Sequence, residues 1–251
     1  MKRSVLGILA SLIAVAAHGA VAIDTHVIVH VIAHDAKLIG SHVGGARVSI
    51  RDAHSGRLLA SGVQQGETGD TKAIMKEPRV RGVSLYSTPG AAAFETTLKL
   101  NRPTRVRISA EGPLGNAQAT VQAETTLVLL PGHDVRGDGV VLELHGFILE
   151  LLDPLQVKPG AEIPLRVKAT MACGCPIEPA GLWDADKIEI QARVLRGDEA
   201  VQSVRLSYAG TSSTFAGSLS PLPRGKYTLE LTAADPSSAN FAVSRTPLPI
   251  R

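Results

Sequence analysis

Cysteine is almost missing from this 251-residue chain. It has two, Cys173 and Cys175, with a single glycine between them. That excludes the disulfide framework by which small secreted domains staple a minimal core. A bridge between these two residues would close almost no loop, so chain entropy gives it little value as a purely structural staple. Aromatic residues make up only 3% of the chain, while Val, Leu, Ala, Thr and Gly are plentiful. This composition suits sandwiches of short β-branched strands better than helical bundles. Convincing helical periodicity is absent after the first twenty-odd residues. Also absent are a G-x-S-x-G elbow, an H-E-x-x-H pair and a phosphate-binding glycine loop, so no catalytic residue is nominated and a non-enzymatic protein is expected. A strong excess of one charge is lacking too: Lys and Arg total 26 against 23 Asp and Glu. Without Lys2 and Arg3 the count is 24 against 23, which leaves no basic surface for nucleic acid.

What is present begins with Lys2-Arg3, an uncharged run from Ser4 to Ala17, and the small-residue stretch His18-Gly19-Ala20-Val21-Ala22. This has the form of a secretory signal peptide over 1–22, cleaved after Ala22. The run is too short for a transmembrane segment, and no lipid-anchoring cysteine follows it. A periplasmic or secreted protein starting near Ile23 is expected. Its length of about 229 residues allows one large or two ordinary domains. Two are expected, over 23–153 and 154–251, with Asp153-Pro154 and Lys158-Pro159-Gly160 as the linker.

Along the mature chain, apolar and polar residues alternate in short runs broken by turns. "THVIVHVIAHDAKLIG" comes first. "GGARVSIRDAHSGRLLASG" reads as two strands around a His54-Ser55-Gly56 turn, and "AAFETTLKLNRPTRVRISAEGPLGNAQATVQAETTLVLLPG" as two or three more, broken at Asn101-Arg102-Pro103 and Gly112-Pro113-Leu114-Gly115. "GDGVVLELHGFILELLD" reads as one long strand. Six more runs follow the linker: "EIPLRVKATMACGC", "DKIEIQARVLR", "AVQSVRLSYA", "STFAGSLSPL", "GKYTLELTAAD" and "NFAVSRTPL". The expected fold class is all-β, two tandem β-sandwich domains. "GGARVSIRDAHSGRLLASGVQQGETGDT" and the later "FETTLKLNRPTRVRISAEG" resemble the carboxypeptidase-regulatory and transthyretin-like sandwich family over residues 25–152, which implies a fold and no catalytic site. "GKYTLEL" resembles the immunoglobulin-type strand with a corner tyrosine two residues before a cysteine. Tyr227 fits the corner, but Leu229 stands at the cysteine position, so the usual inter-sheet disulfide has no second half. Trp183 lies near where such domains carry their core tryptophan. "ATMACGCPIEPAGLWDAD" is similar to a segment of exported proteins of unassigned role, in which Met, Cys-Gly-Cys-Pro and Trp-Asp precede an Ig-like domain. It implies no activity.

The sulfur-bearing segment admits three readings. Ile163, Leu165, Val167, Ala169, Met171, Cys173 and Cys175 all occupy odd positions, which in a strand share one face. They are then inward-facing core residues. Alternatively, Met171, Cys173 and Cys175 form a row of soft donors that bending at Gly174 could converge on a metal, copper above all, since thiolate and thioether ligands select Cu(I). Thirdly, Cys173 and Cys175 are a reversible disulfide, although an extended C-x-C holds its Cα atoms near the upper limit for a bridge. Accordingly the expected role is a binding or accessory module with a protein partner in the periplasm. It handles a soft metal, docks on an enzyme or assembly, or exchanges thiols.

Other polar clusters have plainer readings. His26, His30 and His34 recur every fourth residue, about 13 Å between successive ones in a strand, too far for one ion without help from other segments, and read as the solvated face of an edge strand. His42, His54, His133 and His145 have no placement from sequence. Glu67, Asp70, Asp134 and Asp138 sit among glycines without the spacing of a calcium loop and suit turns. Arg-Gly-Asp occurs at 136–138 and 196–198, each expected as a hairpin turn.

Overall fold

The computed structural model describes residues 21–155 and 159–251. The expected leader up to Ala20 and Lys158 of the expected linker lie outside the described residues. The chain is all-β, arranged as β-sandwiches. Its first half contains β1 (Ile23–Ala33), β2 (Ala46–Asp52), β3 (Leu58–Gln64), the short helix α1 (Thr71–Met75), β4 (Phe94–Leu100), β5 (Thr104–Gly112), β6 (Val121–Leu129) and β7 (Val135–Leu144). Here β4-β1-β7 make one sheet and β3-β2-β5-β6 another. The β1–β7 pair is parallel and its neighbours are antiparallel. Strict alternation explains how the sheets face each other. In β2, Ala46, Val48 and Ile50 are buried while Arg47 and Arg51 point outward, and β5 repeats this with Val106, Ile108 and Ala110. These inner faces close on Val27, Val29 and Val31 of β1. Each Val or Ile among them removed from water contributes about 1.5–3 kcal/mol.

The second half holds β8 (Phe147–Leu151), β9 (Ile163–Met171), β10 (Glu189–Arg196), β11 (Glu199–Tyr208), β12 (Thr214–Leu219), β13 (Gly225–Asp235) and β14 (Asn240–Ile250), in the order β14-β13-β10-β11-β12-β9-β8. β11 pairs with β10 through Leu206 and with β12 from Ser207. That bend carries the sheet around until β8 lies against β13 and β14, which produces two layers. Pro247 and Pro249, which cannot donate to a ladder, sit on the edge strand β14, where they do least harm. Tyr227 behaves as a corner tyrosine: its hydroxyl donates to the Pro223 carbonyl at 3.2 Å and accepts from Arg196 at 2.6 Å. Leu229 is fully buried in place of a cysteine.

Three expectations need correction. The long strand expected over 137–153 is two strands. His145-Gly146 breaks it, with Gly146 at φ +128°, and β8 joins the second sheet by pairing Phe147 with Met171. The change of sheet therefore comes ahead of the Pro154 region. Asn240 fixes the break, its Oδ1 accepting from the Gly146 N–H at 2.6 Å. Arg136-Gly137-Asp138 lies inside β7, near a register shift against β1, and is not a hairpin turn. Arg196-Gly197-Asp198 is the β10–β11 turn, with Gly197 at φ +63°. Finally, β1 is the middle strand of its sheet, so its histidines do not line an edge.

Candidate functional site

The strand that carries the sulfurs ends at Met171, two residues before the first cysteine. Ala172-Cys173-Gly174 form a three-residue loop. The Gly174 N–H donates to the Met171 carbonyl at 2.7 Å, and the Met171 N–H to the Cys175 carbonyl at 3.1 Å. Thr170 and Pro176 then pair across the returning chain. Gly174 adopts φ +73°, the left-handed geometry that three-residue hairpin loops require at this point. The odd-position row expected for Met171, Cys173 and Cys175 consequently stops at the end of β9. From Ala169 to Cys173 every residue is buried, whatever its parity. The turn brings the Cys173 and Cys175 Cα atoms to 5.4 Å, well inside the range for a bridge, and the two are disulfide-bonded.

Their sulfurs are thus committed to each other. In this state the pair offers no thiolate to Cu(I), and Met171 is buried in the hydrophobic core. Among the described residues, no three His, Cys, Asp or Glu side chains gather around a point that could hold a metal ion.

The bridge lies on the wall of a cleft of about 390 Å³ between the two halves. Lys37, Glu67 and Thr71 come from the first half; Pro176, Leu182 and Trp183 come from the second. Trp183 is 7% exposed and its indole N–H donates to the Asp35 carbonyl at 2.9 Å, tying the β9–β10 loop to the chain just after β1. Cys173 is fully buried, whereas Cys175 is 5% exposed. Lys37 donates to Thr71 at 2.9 Å. Burial pushes its ammonium pKa down, and nearby Asp70 and Glu67 only partly offset this.

Nothing in the pattern of residues joins His42 to this site, and the fold does so. His42 lies in a 3-10 turn, Ser41–Val43, between Gly40 and Gly44-Gly45. That turn is pinned on both sides. Ser41 N–H donates to the Gly66 carbonyl at 2.8 Å, and Gly115 N–H to the Val43 carbonyl at 2.8 Å. The imidazole rests on the cysteine loop so closely that a Cβ at Gly174 would stand 2.6 Å from Nε2. The ring is exposed and lines the sulfur cleft on one side and a smaller cavity, with Glu150 and Lys168, on the other. The only trace in the sequence is the glycine-flanked "GSHVGG", which marks a tight turn and does not say what the turn touches.

The remaining polar clusters are structural. His26 meets Thr97 at 2.9 Å, and buried His30 meets the Asp138 carbonyl at 2.9 Å. His34 bridges Glu143 at 2.7 Å and the Ser238 carbonyl at 2.6 Å while stacking on His145 with centroids 3.9 Å apart. Asp70 caps α1, accepting from the Ala73 N–H at 2.9 Å. Asp138 receives the Ser84 hydroxyl and the N–H groups of Leu85 and Tyr86, and so clamps the 84–87 segment onto β7.

No protein-family model matches the sequence, and no curated protein matches it. Solved structures similar to the chain include an engineered protein, 16% identical, with a TM-score of 0.31 over 46% of this chain; the match spans only 22% of that protein's length. A DUF3823 family protein from Bacteroides ovatus is 8% identical, with a TM-score of 0.32 over 91% of this chain and 100% of its own. The fibronectin(III)-like modules of Clostridium thermocellum CbhA are 10% identical, with a TM-score of 0.29 over 91% and 94%. At these scores the likeness carries no argument, and the all-β assignment rests on the sheets described above.

Proposed function

We propose that this chain is an exported accessory module, periplasmic or secreted, that exchanges disulfides with a protein partner through Cys173 and Cys175. The observation that carries the proposal is the position of the bridge. It closes a loop of three residues, for which chain entropy gives only about 1–2 kcal/mol, yet it occupies the wall of a cleft that both halves build. A structural staple gains most between distant segments, whereas an exchange site needs a reachable sulfur and a surface on which a partner can lie. The leader-like N-terminus supports export, and an oxidising compartment would keep the pair bridged. The transthyretin-like resemblance of residues 25–152 and the Met-x-Cys-Gly-Cys-Pro resemblance belong to the same proposal, as scaffolds that present a site.

The chemistry balances as a two-electron exchange. A dithiol on the partner is oxidised to a disulfide while the Cys173–Cys175 bond is reduced to two thiols. Equilibrating the folded protein with mixtures of reduced and oxidised glutathione tests this. Both thiols should appear together and close again on oxidation, with the fold retained throughout. A bridge that opens only when the protein unfolds would sink the proposal.

A further inference from the structure

We infer that His42 is the proton-handling group of the Cys173–Cys175 exchange and that Cys175 is the sulfur a partner thiolate attacks first. The inference rests on the exchange reading above. Three observations lead to it. The imidazole Nε2 lies against Gly174, the residue between the two sulfurs. No hydrogen bond to the His42 ring occurs among the described residues, and one face of the ring borders the sulfur cleft, so its nitrogens are not committed elsewhere. Both cysteines line the cleft, but Cys175 keeps 5% exposure whereas Cys173 has none.

The steps follow from that placement. A thiolate of the partner attacks the Cys175 sulfur, a new intermolecular S–S bond forms, and the Cys173–Cys175 bond breaks. Its electron pair leaves on Cys173. A thiolate released into a fully buried position is poorly solvated, and the His42 imidazolium next to the loop supplies the proton that makes it a thiol. The neutral imidazole then takes a proton from the partner's second thiol. That thiolate attacks the partner's own sulfur in the mixed disulfide and frees Cys175 as a thiolate, which takes up from solvent the proton that the partner's first thiol had given up. The partner loses two electrons, the pair gains them, and the imidazole ends as it began. Histidine is suited to this because its charge changes between about pH 5 and 8.

Gly174 is what permits the contact. Any side chain there would meet Nε2 and, at 2.8 Å, the Val43 Cγ1. The charged groups facing the imidazole are Lys37 and Glu67 across the sulfur cleft and Glu150 and Lys168 across the second cavity.

The test measures how fast dithiothreitol reduces the bridge in the native full-length protein from about pH 5 to 8, for wild type and His42→Gln. Glutamine keeps much of the volume without titrating, and circular dichroism checks that the fold is kept. The substitution should slow reduction by at least about a hundredfold near pH 7, the low end of what a positioned acid or base contributes, and should flatten the pH profile. Reduction in both proteins with identical rates and profiles would overturn the role of His42 and leave the exchange reading standing. A bridge inert in both would end the two together. For the order of attack, the single thiol of Cys173→Ser should react with an aromatic disulfide reagent at least about fivefold faster than that of Cys175→Ser, as access governs such rates. Equal or inverted rates would overturn the assignment of Cys175.

Discussion

At the scale of single residues, two positions show how much depends on one side chain. Gly174 has a positive φ and His42 pressed against it, so Gly174→Ala combines backbone strain with a clash. It should destabilise the protein by about 1–3 kcal/mol in urea unfolding and displace the imidazole. Partial burial raises the pKa of the Asp138 carboxyl, but donors from Ser84, Leu85, Tyr86 and Ser87 outweigh this and leave it below the usual carboxylate range. A depressed pKa contributes stability that is fully present above the unfolded value of about 4 and is lost as pH falls through the lower folded value. Asp138→Asn should therefore cost about 1–2 kcal/mol near neutrality, with the gap to wild type closing in acid. A gap unchanged down to about pH 2 would contradict the clamp. Neither position advertises itself in the sequence. Gly174 could be named as a bend, but its need to accommodate His42 depends on residues more than a hundred positions away.

At the scale of elements, legibility follows periodicity. All six strands expected after the linker are present, and the His54-Ser55-Gly56 and Arg196-Gly197-Asp198 turns fall where small polar residues place them. In the first of these, Asp52 accepts from the His54 and Ser55 N–H groups. Reading failed where a period of two continued past the end of a strand. "KATMACGC" keeps alternating in sequence although the chain has already turned, because a loop of buried residues is as apolar as a strand. "GDGVVLELHGFILELLD" failed for the converse reason: His145-Gly146 interrupts pairing without interrupting hydrophobicity. Helix α1 has five residues and one cap, too few for a periodic signal. The tyrosine corner was legible from Tyr227 alone. Tyr227→Phe removes the bond to Pro223 and the acceptor for Arg196, so it should cost about 0.5–2 kcal/mol in equilibrium unfolding. A neutral substitution would mean that the corner is held by packing only.

At the scale of the whole molecule, the site belongs to the joint between the halves. Trp183 reaches Asp35, His34 reaches Ser238, Gln118 accepts from Ser244, and Asn240 holds Gly146. The core is continuous across these contacts. No reading of segments one at a time could have placed His42 over Cys173-Gly174-Cys175, since that contact exists only when both halves are assembled. The same arrangement supplies a reporter. Trp183 is the chain's single tryptophan and borders the cleft that holds the bridge, so its emission should change when the bridge opens, in step with the appearance of thiols. Copper offers a contrasting outcome. With both sulfurs bridged, protein isolated without reductant should take up no stoichiometric Cu(I), and uptake by that form would refute the oxidised assignment.

The most direct test is the thiol state of the protein isolated from its own compartment without reductant. Thiols are counted under denaturing conditions, before and after mild dithiol treatment of the native fold. The account predicts no free thiol before treatment and two after it, with Trp183 emission shifting in parallel. Two free thiols at the outset, or a bridge that mild dithiol cannot open in the folded protein, would contradict it.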